Sequence, residues 1–326
     1  MRPASILAAS VTAAALLGCG PTHEEWAVVH EGLDEGLVSV WGRSSTEVYA
    51  VGSDAGAGPL VLRYDGARWT RMATGASGNL WWVNGTEESI FMGGEGGLIL
   101  RYEGGSFTTM PTPGSGTVFG IWAAAPDDVW AVGGTGASAG FAWRYDGSAW
   151  SEVELPGLDD RGLFKVWGNA ADDVWMVGAG GAAYHWDGSA VSAVDAGTTR
   201  TLFTVHTEGE RVVAVGGAGN AVLVEREAGP FVDRSPTFWP QLFGVWLTPD
   251  GGGFAVGLNG AILRRDAEEW VDETDEFSFV TALHAVWVDE VGGVWAVGGQ
   301  VISEPLSDGV ILHRGAPISN AIEEGS

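Results

Sequence analysis

Cysteine is nearly absent from this chain of 326 residues: there is one, at position 19. A single cysteine excludes an intramolecular disulfide framework and a thiolate metal cage. Basic side chains are also scarce, 16 against 42 acidic ones, for a formal net charge of −26. Nucleic acid and anionic lipid surfaces would both repel such a chain, which excludes nucleic acid as a main partner. Charged residues make up only 18% and hydrophobic ones 45%, so this is not the composition of a disordered acidic chain. The alanine-, glutamate- and lysine-rich signature of helical proteins is missing. In abundance instead are glycine, with 52 residues, and tryptophan, with 17.

The first apolar run is short. After Met1-Arg2, residues Ala4 to Leu17 carry no charge. At about 14 residues the run suits a secretory signal and falls short of the roughly 20 needed to span a bilayer. It ends in Leu16-Leu17-Gly18-Cys19, similar to a bacterial lipobox. That resemblance implies a signal peptide over residues 1–18, cleavage before Cys19, and acyl chains (diacylglycerol and palmitate-type) on Cys19. Residues 19–25 would then be a short tether anchoring a mature chain of 308 residues to the membrane. Gly20, standing where retained lipoproteins carry aspartate, implies outer-membrane sorting and a place in the cell envelope.

The remainder is a repeat. Leu37-Val38-Ser39-Val40-Trp41 recurs as Leu80-Trp81-Trp82-Val83, Val118-Phe119-Gly120-Ile121-Trp122 and Leu163-Phe164-Lys165-Val166-Trp167. It returns as Leu202-Phe203-Thr204-Val205-His206, Leu242-Phe243-Gly244-Val245-Trp246 and Leu283-His284-Ala285-Val286-Trp287. From Trp41 to Trp287 the six intervals average 41 residues. A second motif, clearest as Trp130-Ala131-Val132-Gly133 and Trp295-Ala296-Val297-Gly298, ends on glycines read as Gly52, Gly93, Gly133, Gly178, Gly216, Gly257 and Gly298. A third, Arg63-Tyr64-Asp65-Gly66 through Trp69 and Arg144-Tyr145-Asp146-Gly147 through Trp150, closes the unit with a hairpin signal. Period-two alternation, aromatic enrichment and this spacing predict four antiparallel strands per unit, the size of a propeller blade. The seventh unit lacks a closing tryptophan strand, and Trp26 to His30 supplies a matching one ahead of the first unit. The expectation is an all-β, seven-bladed β-propeller over residues 26–315, with the N-terminal strand closing the last blade and residues 316–326 as a C-terminal tail. These motifs resemble the VWAVG/YDGxxW-repeat propeller lipoproteins abundant in myxobacteria, which implies an exported binding or structural role.

Chemistry is harder to find. Arg63, Arg101, Arg144 and Arg264 share one repeat position, which predicts scaffold ion pairing and not a sialidase-type cluster. Asp127-Asp128 and Asp172-Asp173 read as solvated turns, with no Asp-x-Asp-x-Asp-Gly calcium loop beside them. The six histidines lack a metal-ligand spacing, so no metal and no cofactor is expected, and His206 reads as a packed replacement for the repeat tryptophan. Glycine runs such as Gly93 to Gly97 precede strands, whereas a phosphate cradle needs a helix.

The surface remains. Thirteen of the tryptophans fall on repeat positions; Trp239, in a loop with Phe238 between two prolines, has no packing reason of that kind. With Phe277 and Phe279 it predicts a ligand-binding rim, flanked by Asp159, Asp160, Asp275 and Glu276. An aromatic platform beside carboxylates suits a sugar face or a cationic protein segment. A plug between blades five and six is the other reading of Phe238 and Trp239. Two functions stay open: a monomeric, non-enzymatic binding or assembly module for a protein or glycan, and a glycan-processing enzyme using the rim carboxylates, which would need two carboxyls about 5–9 Å apart.

Overall fold

The computed structural model describes residues 25–266, 268–274 and 281–325. Cys19, Asp275, Glu276, Phe277 and Phe279 lie outside the described residues. The repeat folds as its pattern predicts: seven sheets, each built on an antiparallel four-stranded meander. Blade 1 consists of Leu37–Ser44, Glu47–Asp54, Pro59–Tyr64 and Trp69–Arg71. Each innermost strand touches those of both neighbouring blades, and the seventh, Ala282–Val288, touches the first, Leu37–Ser44. The chain is a closed seven-bladed β-propeller.

Closure uses the N-terminus. Trp26–Leu33 pairs antiparallel with Ser307–Arg314 as the outer strand of blade 7. Trp26 is buried there, edge-on to Phe254 of blade 6 at 6.0 Å between centroids. The C-terminal segment is more than a tail. Ile322–Glu324 adds a fifth, parallel strand to blade 1 along Trp69–Arg71, and Arg68 clasps Glu323 at 2.9 Å.

The repeat residues are scaffold. Arg144 grips Asp128 through two hydrogen bonds of 2.8 and 2.9 Å while its guanidinium covers the Trp130 ring at 5.1 Å. Arg63 likewise reaches Glu47 and covers Tyr49. Asp65, Asp146 and Asp187 each accept two backbone N–H groups at the hairpin tip. For Asp146 and Asp187 the adjacent serine hydroxyl, then those N–H groups, hold the carboxyl down to about 2. The repeat glycine is set by close approach: a Cβ on Gly133 would sit 1.9 Å from the Thr117 carbonyl oxygen, and one on Gly298 1.9 Å from that of Ala282. Pairing shows that in blade 2 this place belongs to Gly94, opposite Leu80, and not to Gly93. Gly93 occupies the preceding residue, where the other blades carry valine.

Candidate functional site at the mouth of the central pore

All seven innermost strands share one irregularity. In each the ladder skips the residue that follows Leu37, Leu80, Val118, Leu163, Leu202, Leu242 or Leu283: Val38, Trp81, Phe119, Phe164, Phe203, Phe243 and His284. A bulge frees its residue from the two-faced alternation and re-aims its side chain. Here the freed side chains meet around the pore. Centroids follow one another at 5.3 Å (Trp81–Phe119), 5.5 Å (Phe119–Phe164), 5.4 Å (Phe164–Phe203), 5.6 Å (Phe203–Phe243) and 5.5 Å (Phe243–His284), and His284 returns to Trp81 at 6.3 Å. Val38 completes the seven, and its carbonyl lies 2.6 Å from His284 Nδ1.

The orientation of this collar follows from its symmetry. The three Phe–Phe steps turn by 54°, 53° and 48°, close to the roughly 51° of one-seventh of a turn. Ring planes rotate by the full step only when they stand parallel to the pore axis. Spacings near 5.5 Å on a seven-membered circle give a collar radius of about 6 Å, a consequence of radial repetition. Trp81, Phe119, Phe164, Phe203 and His284 are half-buried, so the collar is open to solvent. Within it lies a cavity of about 250 Å³, with Gln241, Val301 and Ile302 at its lip and Lys165 among its lining residues. Among the described residues no carboxylate lines it.

Below the collar, one place further along each inner strand, stand Ser39, Trp82, Gly120, Lys165, Thr204, Gly244 and Ala285. Two large side chains fill that layer. Lys165, the only lysine of the chain, is 3% exposed. Its Nζ sits 3.1 Å from the centroid of the Trp82 ring and donates to the Phe119 carbonyl at 3.2 Å. Burial pushes the amine well below the usual lysine range. The ring face favours the ammonium by about 2 kcal/mol when desolvated, less than the several kcal/mol it costs to dehydrate the ion. Burial thus shifts the balance from the ammonium towards the neutral amine. His284 is pushed down to about 4, above all by burial, the Val38 carbonyl opposing. It is a neutral imidazole whose Nδ1–H donates to Val38. Deeper still, His206 stacks on Trp167 at 4.5 Å and Trp246 at 4.2 Å. Its Nδ1 accepts the Leu247 N–H, its Nε2 has no partner, and burial lowers it to about 3.

The described rim residues, Phe238, Trp239, Asp159 and Asp160, lie on the same face. The crossing into blade 6 rests on the blade 5 hairpin through Ala221 N–H donating to the Trp239 carbonyl at 2.9 Å. The crossing into blade 4 does the same with Ala139 N–H and Asp160. Trp239 is half-buried and packs against the core of Val213, Leu223 and Leu242, so its ring fills the gap between blades 5 and 6. Phe238 is 93% exposed with φ of +63°. Asp159 and Asp160 are exposed, two crossings away. No hydrogen bond, ion pair or ring contact joins them to Phe238 or Trp239 among the described residues. A larger cleft of about 710 Å³ between blades 6 and 7 is open, its lining mixing Glu31, Asn259, Gln300 and Asp308 with apolar Leu258, Ile302 and Val310. It gathers no convergent set of side chains of the kind that marks a binding site. Among the described residues no three His, Cys, Asp or Glu side chains gather to hold a metal ion.

The collar was present in the repeat as a column of aromatics one residue after Leu37, Leu80 and their equivalents. Alternation alone assigns that column to a sheet face; the bulge that turns it into the pore is a pairing property.

No family model matches the chain, and no curated protein matches it in sequence. Solved structures match its fold. YCF48 from Cyanidioschyzon merolae has 14% identity and a TM-score of 0.68, over 89% of this chain and 98% of that one. YCF48 bound to a D1 peptide has 15% identity and a TM-score of 0.66, over 90% and 97%. The WD40 propeller domain of Doa1 has 12% identity and a TM-score of 0.67, over 91% and 99%. At such identities the likeness is one of fold.

Proposed function

We propose that this chain is a non-enzymatic binding or assembly module, tethered to the cell envelope as an outer-membrane lipoprotein through Cys19, that seats an apolar side chain of a protein partner in the collar. The observation that carries this reading is the bulge repeated in all seven blades, which spends a backbone irregularity per blade to bring six aromatic rings to one opening. The cavity, at about 250 Å³, is smaller than the roughly 300–1,000 Å³ of small-molecule sites. It suits a single anchor residue, and a buried anchor in an aromatic pocket is where protein interfaces concentrate their energy. Exposed Ile302 and Phe238 on the same face extend the apolar contact beyond the pocket. A fold neighbour, YCF48, is known bound to a peptide, which is consistent with a propeller used this way. The absence of carboxylates in the pocket weighs against glycoside hydrolysis there. Resemblance to the myxobacterial repeat lipoproteins supports the exported setting.

Photo-crosslinking tests the reading. A benzophenone side chain at Phe203, in the collar, should crosslink to an envelope protein, and one at Thr46, on the opposite hairpin, should not. Equal crosslinking from both positions, or from Thr46 alone, would overturn it.

A further inference from the structure

The floor of the collar holds a combination that anchoring an apolar residue does not require. The chain's only lysine occupies a layer where five other blades carry serine, glycine, threonine or alanine. Among the described residues its amine has one oxygen partner, the Phe119 carbonyl, and no carboxylate lines the cavity to hold it as an ion. His284 lines the same cavity with Nδ1 committed to Val38, which leaves Nε2 as a free acceptor. An amine desolvated in an apolar pocket beside a neutral base is the arrangement that forms Schiff bases with carbonyl compounds.

We propose that the collar also captures small apolar aldehydes or ketones, which Lys165 binds reversibly as an imine with His284 moving the proton. The apolar body lies against the collar rings and the carbonyl points to the floor. The Nζ lone pair attacks the carbonyl carbon, a C–N bond forms, and the π pair moves to oxygen. One N–H proton passes by way of His284 Nε2 to that oxygen, giving the carbinolamine. The second leaves with the hydroxyl as water while C=N forms. No oxidant or reductant is needed, and hydrolysis returns amine and carbonyl compound. Burial, which keeps the amine unprotonated, supports the same chemistry.

A single lysine makes the test unambiguous. The full mature chain is treated at pH 7 with phenylacetaldehyde and cyanoborohydride, which fixes an imine as a stable secondary amine, and adducts are mapped by mass spectrometry. Only Lys165 and the N-terminal amine can carry one. An ordinary lysine is unprotonated to less than about one part in 10³ at this pH, so Lys165 should react at least about tenfold faster than Nα-acetyl-lysine. 2-Phenylethanol, the same body without a carbonyl, should slow the reaction, and Lys165→Met should confine adducts to the N-terminus. Labelling of Lys165 slower than of Nα-acetyl-lysine, or at a rate indifferent to 2-phenylethanol, would overturn the proposal. The protein-partner reading is decided separately, by crosslinking at Phe203.

Discussion

Replacing Lys165 with methionine should make the protein more stable. A buried lysine whose amine is depressed in the fold but ordinary, near 10.4, in the unfolded chain leaves the unfolded state holding a proton that the folded state lacks. The sign follows: stability is lost as pH falls below about 10.4 and regained as pH rises from 7 towards 10. While the folded amine stays neutral, each pH unit is worth about 1.4 kcal/mol, or up to about 2.7 kcal/mol between pH 7 and 9. Few other groups interfere in this window; burial and the Glu47 hydrogen bond push the Tyr49 hydroxyl upward, beyond it. Methionine keeps the apolar stem and a similar volume. It leaves the Phe119 carbonyl without its donor, at a cost of about 1–3 kcal/mol. Methionine escapes the proton-release penalty that a neutral folded amine carries below its unfolded pKa, up to about 4–5 kcal/mol at pH 7, so after the carbonyl's cost Lys165→Met should gain about 1–3 kcal/mol. Urea denaturation at pH 7, 8 and 9 reads this as a midpoint that rises with pH in the wild type and stays flat in the variant, at unchanged m. A wild-type midpoint that does not move between pH 7 and 9, or a variant weaker by more than about 2 kcal/mol, would refute the assignment of a neutral amine and make Lys165 a structural plug.

On the acid side, His206 and His284, lowered to about 3 and about 4 by burial, leave the unfolded chain to take protons first below its pKa of about 6.5. Stability should therefore fall from pH 6.5 downward, by about 2 kcal/mol per histidine at pH 5, and His284→Phe should remove about half of that loss in denaturation midpoints. Ring closure rests on Trp26, buried against Phe254. Trp26→Ala should cost about 3–5 kcal/mol, and an unchanged melting temperature would contradict closure through that strand. Cys19→Ser should leave unprocessed precursor or release soluble protein; a fully processed, membrane-bound variant in fractionation would contradict the lipid anchor.

What the sequence made legible was what repetition writes down. Trp41 and its equivalents, the Asp-Gly hairpins and the orphan Trp26 strand counted seven blades and showed how the ring closes. Positions whose role depends on pairing were not legible. Gly93 matched the motif by eye, yet Gly94 faces Leu80 and makes the close approach. Phe164 and Phe203 read as ordinary strand aromatics until the bulge turned them into the pore. Ile322–Glu324 is three residues with no strand signal, and its pairing comes from the open edge that Trp69–Arg71 offers. Trp239 stood out as an exception to the repeat. Its half-burial between blades 5 and 6 is a matter of what lies beneath the loop, which composition does not record.

The collar as binding site is tested most directly by comparing two double variants against one crosslinked envelope partner. Phe164→Ala/Phe203→Ala removes two adjacent collar rings, whereas Phe238→Ala/Asp160→Asn alters the outer rim on the same face and leaves the collar whole. Dissociation constants by calorimetry should rise at least tenfold for the collar pair, about 1.4 kcal/mol or more, and by less than about threefold for the rim pair. The reverse ranking, with the rim pair costing more than the collar pair, would contradict the account.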